Sequence, residues 1–120
     1  MARKKIMVVN RRAPHGTIYA LELLDVVLIA SAFDQDVAVA FLDDGVYQLV
    51  KNQNSGALGS KSFSPAYRAL PDHDVNTIYV ERESLAARGL VPDDLLIPVE
   101  LLDAAELAQR MSEQDVILSA

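Results

Sequence analysis

A chain of 120 residues, 51% hydrophobic and 23% charged, has the size and composition of one soluble globular domain spanning residues 1–120. The absence of cysteine excludes disulfides, thiolate metal sites and thiol chemistry by this chain. A net charge of −6 opposes a phosphate backbone, and the basic strip Arg3, Lys4, Lys5, Arg11 and Arg12 is too small to reverse that, so direct nucleic-acid contact is not expected.

The start MARKKIMVVN is basic, but its apolar run is only four residues, too short for a signal peptide. Residues 4–10 instead read as a strand with a nearly continuous apolar centre, the pattern of a strand covered on both faces. Thr17 is a suitable N-cap for a helix from Ile18 to about Phe33, which Asp34-Gln35-Asp36 ends. Glu22 and Asp25 interrupt that segment, so it does not read as a membrane span, and a cytoplasmic location is expected. Val37–Leu42 is a second buried strand closed by Asp43-Asp44-Gly45, and Val46–Lys51 follows as a short helix.

Asn52–Ser62 is a polar, glycine-bearing loop. Ser64-Pro65 opens a helix running to about Leu70. Asn76–Val80 reads as the third strand, and Ser84–Arg88 as a helix stopped by Gly89. Leu95–Val99 is expected as a fourth strand at an edge, because Pro98 cannot donate to a ladder. Asp103 and Glu106 have capping-box spacing for a helix to about Glu113, and Asp115–Ser119 is a last short strand. Alternating strands and helices, with strands as unbroken apolar runs, imply a three-layer α/β/α sandwich around a mostly parallel sheet of about five strands. Ligands in such folds sit beyond the carboxyl ends of the strands, which singles out the loops 10–16 and 43–45 and the one after Val80.

In the first loop, Arg11, Arg12, His15 and the helix start at Thr17 could hold an anion or contact a partner. The simpler account is a turn in which Pro14 fixes the chain, Gly16 allows a sharp bend and Thr17 caps. Asp43-Asp44-Gly45 could hold magnesium, but Asn10 and Ser119-Ala120 stand where the known acidic-site domains carry an acidic pair and a lysine; an aspartate-glycine turn with an N-cap is preferred. GALGSKS lacks the glycines of a phosphate loop, since Ser60 and Ser55 occupy their places. His73, between Asp72 and Asp74, reads as a solvated turn. No nucleophile with an adjacent base emerges, and no cofactor, metal or catalytic residue is expected.

The first helix has a further peculiarity. The stripe through Glu22 and Asp25 continues through Ile18, Leu21, Ile29 and Ala32, all apolar. A helix apolar nearly all round is buried on both sides, and in a domain this small the second cover is most simply another chain.

APHGT after the first strand, DGVYQL (Asp44–Leu49) after the second, and SLAARGL (Ser84–Leu90) together resemble the TusC/DsrF subunits of the DsrE/DsrF/DsrH-like sulfur-relay family. AFDQDVAVAFLDDGVYQL looks most like the DsrF branch of sulfur oxidisers, and the likeness extends from about Lys5 to the final DVILSA. The resemblance implies a heterohexamer with DsrE/TusD-like and DsrH/TusB-like sister subunits. Such a complex carries persulfide sulfur for dissimilatory sulfur oxidation or for tRNA 2-thiouridine synthesis, and reaches a downstream sulfur-carrier protein. The persulfide cysteine belongs mainly to the DsrE/TusD-like sister, and this cysteine-free chain cannot carry it over. A non-catalytic subunit is therefore the expectation. The rival is an autonomous small-anion or small-ligand-binding α/β domain that uses the loop after the first strand.

Overall fold

The computed structural model describes residues 4–11, 26–27, 29–30, 32–33, 35–50, 70, 75, 77–95 and 97–119. Five strands, β1 (Lys5–Asn10), β2 (Asp36–Phe41), β3 (Thr77–Glu81), β4 (Glu100–Leu102) and β5 (Val116–Ser119), form one sheet in the order β4-β3-β2-β1-β5. Every pairing is parallel. A parallel sheet needs cover on both faces, and the burial pattern supplies the reason these runs are strands. Val8, Val37, Val39, Phe41, Ile78 and Val80 point to one side, into a core completed by Val27, Val46, Leu49 and Leu85. Met7, Val9, Ala38, Ala40 and Tyr79 point to the other, against Leu102 and Leu107.

Two α-helices have described bounds, α1 (Arg82–Ala87) and α2 (Ala104–Ser112). Leu85 of α1 joins the first core and Leu107 of α2 the second, so helices cover both faces and the layers number three. The helical residues among positions 26–32 add to the first face through buried Val27. The capping box of α2 is formed: Glu106 N–H donates to Asp103 Oδ1 at 2.7 Å, and Asp103 N–H to Glu106 Oε1 at 3.2 Å. Gly89 follows α1 with φ +68°, the left-handed conformation expected of a residue that stops a helix.

Three expectations are corrected. Leu95–Val99 is not a strand: Pro92–Asp94 is a short 3-10 helix, Leu95 makes only an isolated antiparallel bridge to Val50, and the fourth strand is Glu100–Leu102. Leu95 is apolar because it fills the core from a loop, 4% exposed, and a core position does not require a strand. The helix expected at Val46–Lys51 is a 3-10 helix over Asp43–Leu49. Its N-cap is Leu42, without a side-chain cap bond, so the aspartates do not cap it. The helix start at Ser64-Pro65 and the loop 52–62 lie outside the described residues.

Candidate functional site

Parallel strands place all their carboxyl ends on one edge of the molecule, where Arg11 after β1, the turn after β2 and the start of α1 after β3 meet. Arg11, the first residue after β1, donates from Nε to Asp43 Oδ2 at 3.0 Å and forms an ion pair with it, Nη2 lying 2.9 Å from the same oxygen. Asp43 lies directly beyond Leu42, in the left-handed region with φ 51°, a conformation a short polar side chain tolerates better than most. Its N–H donates to Ser84 Oγ at 2.8 Å, and that hydroxyl donates to Glu81 Oε1 at 2.6 Å. Asp44 Oδ1 accepts from Arg88 Nε and Nη2 at 3.1 and 2.9 Å, while Arg88 Nη1 donates to the carbonyl of Ser84 at 3.1 Å.

The described residues of the three segments singled out from the sequence, Arg11, Asp43, Asp44, Glu81, Ser84 and Arg88, therefore form one hydrogen-bonded rim. Of the four residues suggested for anion or partner contact, Arg11 sits in this rim with its guanidinium matched by Asp43; Arg12, His15 and Thr17 lie outside the described residues. Ser84, Glu81 and Arg88 were not foreseen as partners of the 43–45 turn. The only hint was that a residue just after a parallel strand reaches the carboxyl end, which selects a region and no particular pair.

The chemistry of the rim is structural. Ser84 is 3% exposed, and its hydroxyl both accepts and donates within the protein, so it holds the turn and is closed to a substrate. The ion pair Arg11–Asp43 is exposed at both ends and Arg88–Asp44 at its carboxylate, so each contributes within about 1 kcal/mol. Among the described residues, no group of three or more His, Cys, Asp or Glu side chains could hold a metal ion. No helix among them is long and apolar enough to cross a membrane.

On the outer surface, the described end of the first helix presents Ile29 at 58% exposure and Phe33 at 72%, four positions apart, with Ala32 exposed between them. Ile29 and Ala32 are the described members of the apolar stripe inferred from the sequence, and both face solvent while Val27 is buried in the core. Ile18 and Leu21 lie outside the described residues.

At the opposite, amino end of the strands, a cleft of about 130 Å³ is lined by Lys5, Asp36, Tyr79, Arg110 and Glu113 among others. Its two cations and two anions balance. Burial, then the Glu100 carboxylate, pushes the Tyr79 phenol above its ordinary value, with Arg110 pulling the other way. A raised phenol pKa in the folded state means stability that is complete below pH about 10 and is lost as the pH rises through the folded value. Urea titrations between pH 8 and 11.5 should therefore show an alkaline loss of stability that Tyr79→Phe reduces, with a change within about 1 kcal/mol at pH 7. An unchanged alkaline limb in the variant would assign the loss to other groups.

Comparison with known proteins adds to this geometry. The model of the DsrE/DsrF-like family matches residues 4–120. The chain is 51% identical to the intracellular sulfur oxidation protein DsrF of Allochromatium vinosum, with 97% of this chain and 96% of that protein covered. It is 37% identical to a TusC homolog of Vibrio vulnificus (91% and 92% covered) and 34% identical to one of Pseudomonas aeruginosa (97% and 98%). Among solved structures, the ychN protein from E. coli superposes with a TM-score of 0.83 at 21% identity, covering 98% of this chain and 99% of that one. A protein of unknown function from Methanobacterium thermoautotrophicum gives 0.71 at 17%, covering 99% and 100%. At these identities the two structures speak for the fold, a parallel five-stranded sheet between helices.

Proposed function

Because the chain belongs to the DsrE/DsrF-like family, we propose that it is a non-catalytic subunit of a sulfur-relay complex, acting in the cytoplasm with DsrE/TusD-like and DsrH/TusB-like sister subunits in a heterohexamer. The observation that carries this reading is the 51% identity to a sulfur oxidation protein over nearly the whole of both chains. That value against 34–37% for the TusC homologs favours the sulfur-oxidation branch over tRNA 2-thiouridine synthesis. The persulfide then travels on a sister subunit, because a chain without cysteine has no sulfur nucleophile to accept it. What remains for this chain is assembly, and the exposed Ile29 and Phe33 supply an apolar surface for it.

Co-expression with genes for DsrE/TusD-like and DsrH/TusB-like sister subunits tests the reading in one preparation. The three chains should co-purify, and after incubation with a cysteine desulfurase and sulfur-labelled cysteine, covalent label should appear on a sister and be absent from this polypeptide after denaturation. Ile29→Asp should lower recovery of the complex about tenfold or more, since burying an unpaired carboxylate opposes association, while leaving the isolated fold intact. Label retained on this chain, or full recovery of a complex that excludes it, would refute the proposal.

A further inference from the structure

β5 is an edge strand. It pairs with β1 through Ile6↔Val116, Met7↔Ile117, Val8↔Leu118 and Val9↔Ser119, and no described strand lies on its other side. Such an edge leaves a row of backbone donors and acceptors open to another strand, and proteins normally guard against this with charge, proline or shortness. The other edge of this sheet is guarded in that way: β4 has three residues, opens with Glu100 and follows Pro98 closely. β5 is also short, at four residues, but has neither charge nor proline within it. Its residues are Val-Ile-Leu-Ser, uncharged, with Val116, Ile117 and Leu118 exposed at 36%, 45% and 38%. Val116 and Leu118 share the side of the sheet of their partners Ile6 and Val8, and Ile117 the side of Met7, so aliphatic surface is open on both faces.

The segment around β5 also indicates what would cover it. Asp115-Val116-Ile117-Leu118-Ser119 reads the same in both directions by chemistry: polar, three aliphatics, polar. In an antiparallel pair centred on Ile117, Ile117 faces the partner's Ile117, Val116 faces the partner's Leu118, and Asp115 faces the partner's Ser119. Each aliphatic meets an aliphatic, and the carboxylate meets a hydroxyl donor. No like charges are opposed, the usual obstacle to a two-fold edge contact. Asp115 is already fixed at the strand start, its N–H donating to the carbonyl of Lys5 and its Oδ2 accepting from Lys5 N–H, both at 2.8 Å. Each copy has one outer β5 edge, and the antiparallel pair centred on Ile117 makes both halves of the contact equivalent about a two-fold axis, the usual symmetry of a dimer.

We propose that the outer edge of β5 pairs with β5 of a second copy of this chain, antiparallel and centred on Ile117, joining two five-stranded sheets into one. This contact uses a different surface from the Ile29–Phe33 face and does not depend on the function proposed above.

The natural lack of cysteine makes the test direct. Directly opposed residues in an antiparallel pair have Cα atoms about 4.5–5.5 Å apart, within disulfide reach. In the full chain, Ile117→Cys under mild oxidation should yield a covalent dimer, while Ala108→Cys on the exposed side of α2 should not. Sedimentation of the unaltered chain at tens of micromolar should show a dimer that Ile117→Lys weakens about tenfold or more, because the substitution sets two ammonium groups opposite each other. Mixing Val116→Lys with Leu118→Glu chains should recover dimer that neither forms alone, with circular dichroism confirming the fold of each. A monomer across this range, a dimer indifferent to Ile117→Lys, or cross-linking at position 117 no faster than at 108 would overturn the proposal.

Discussion

Gly45→Ala is expected to lower the melting temperature of this chain by about 10 °C, from a stability loss of about 3 kcal/mol. A Cβ at this position would overlap the carbonyl oxygen of Asn10 and stand 2.5 Å from its carbon and 3.0 Å from Arg11 N. All three are backbone atoms, so no side chain can turn aside. The Asn10 carbonyl is also committed, accepting Leu42 N–H at 3.1 Å where β1 and β2 end together. Gly45 itself is tied to the carbonyl of Leu42 at 3.0 Å. Accommodating one methyl group therefore means moving the start of the 3-10 helix away from β1 and disturbing the rim built on Asp43. Gly89→Ala gives the scale: φ there is +68° but nothing lies within 4 Å of the added carbon, and the loss should be near 1 kcal/mol. Thermal scans of the two variants that coincided would show that the close approach at Gly45 is relieved at little cost.

Phe41→Ala should have the larger effect, about 3–5 kcal/mol, enough to leave a domain of this size barely folded. Phe41 is wholly buried and stands among the largest side chains of the core, at the end of β2 beside Val39, Val46 and Leu85. Its loss leaves a cavity under the 3-10 helix as well as removing the ring from the apolar interior. Phe33, 72% exposed, is the internal control: Phe33→Ala should shift the urea midpoint by no more than about 0.5 kcal/mol. Equal midpoints for the two alanine variants would contradict the core assignment.

The contrast between these two phenylalanines shows what the sequence alone could and could not disclose. The apolar runs around Val8 and Val39 announced doubly covered strands because only a parallel sheet tolerates such continuity, and both lie where the pattern put them. Asp103 and Glu106 announced a helix because a capping box is a local device, complete within four residues. Leu95 does not announce its loop, because apolarity reports burial and only indirectly the backbone that achieves it. The rim was legible as a region but not as contacts. Arg11 and Asp43 are 32 positions apart, and Asp44 and Arg88 are 44 apart, so nothing local marks them as partners. Asp43-Asp44 looked like capping residues; in the folded chain both carboxylates face arginines from neighbouring loops.

The strand order has a kinetic consequence. β5 comes last in the sequence, yet it completes the pairing of the first strand, and Lys5 N–H meets Asp115 across 110 positions. Contacts of such long range require closure of nearly the whole chain before they return any energy, which makes their formation slow. During synthesis β1 must wait for residues 116–119 to leave the ribosome, with one side of its ladder unsatisfied until then. A nascent chain in this state exposes the edge of β1 to any strand that arrives first, so chaperone capture before β5 emerges is the safer route to the native sheet.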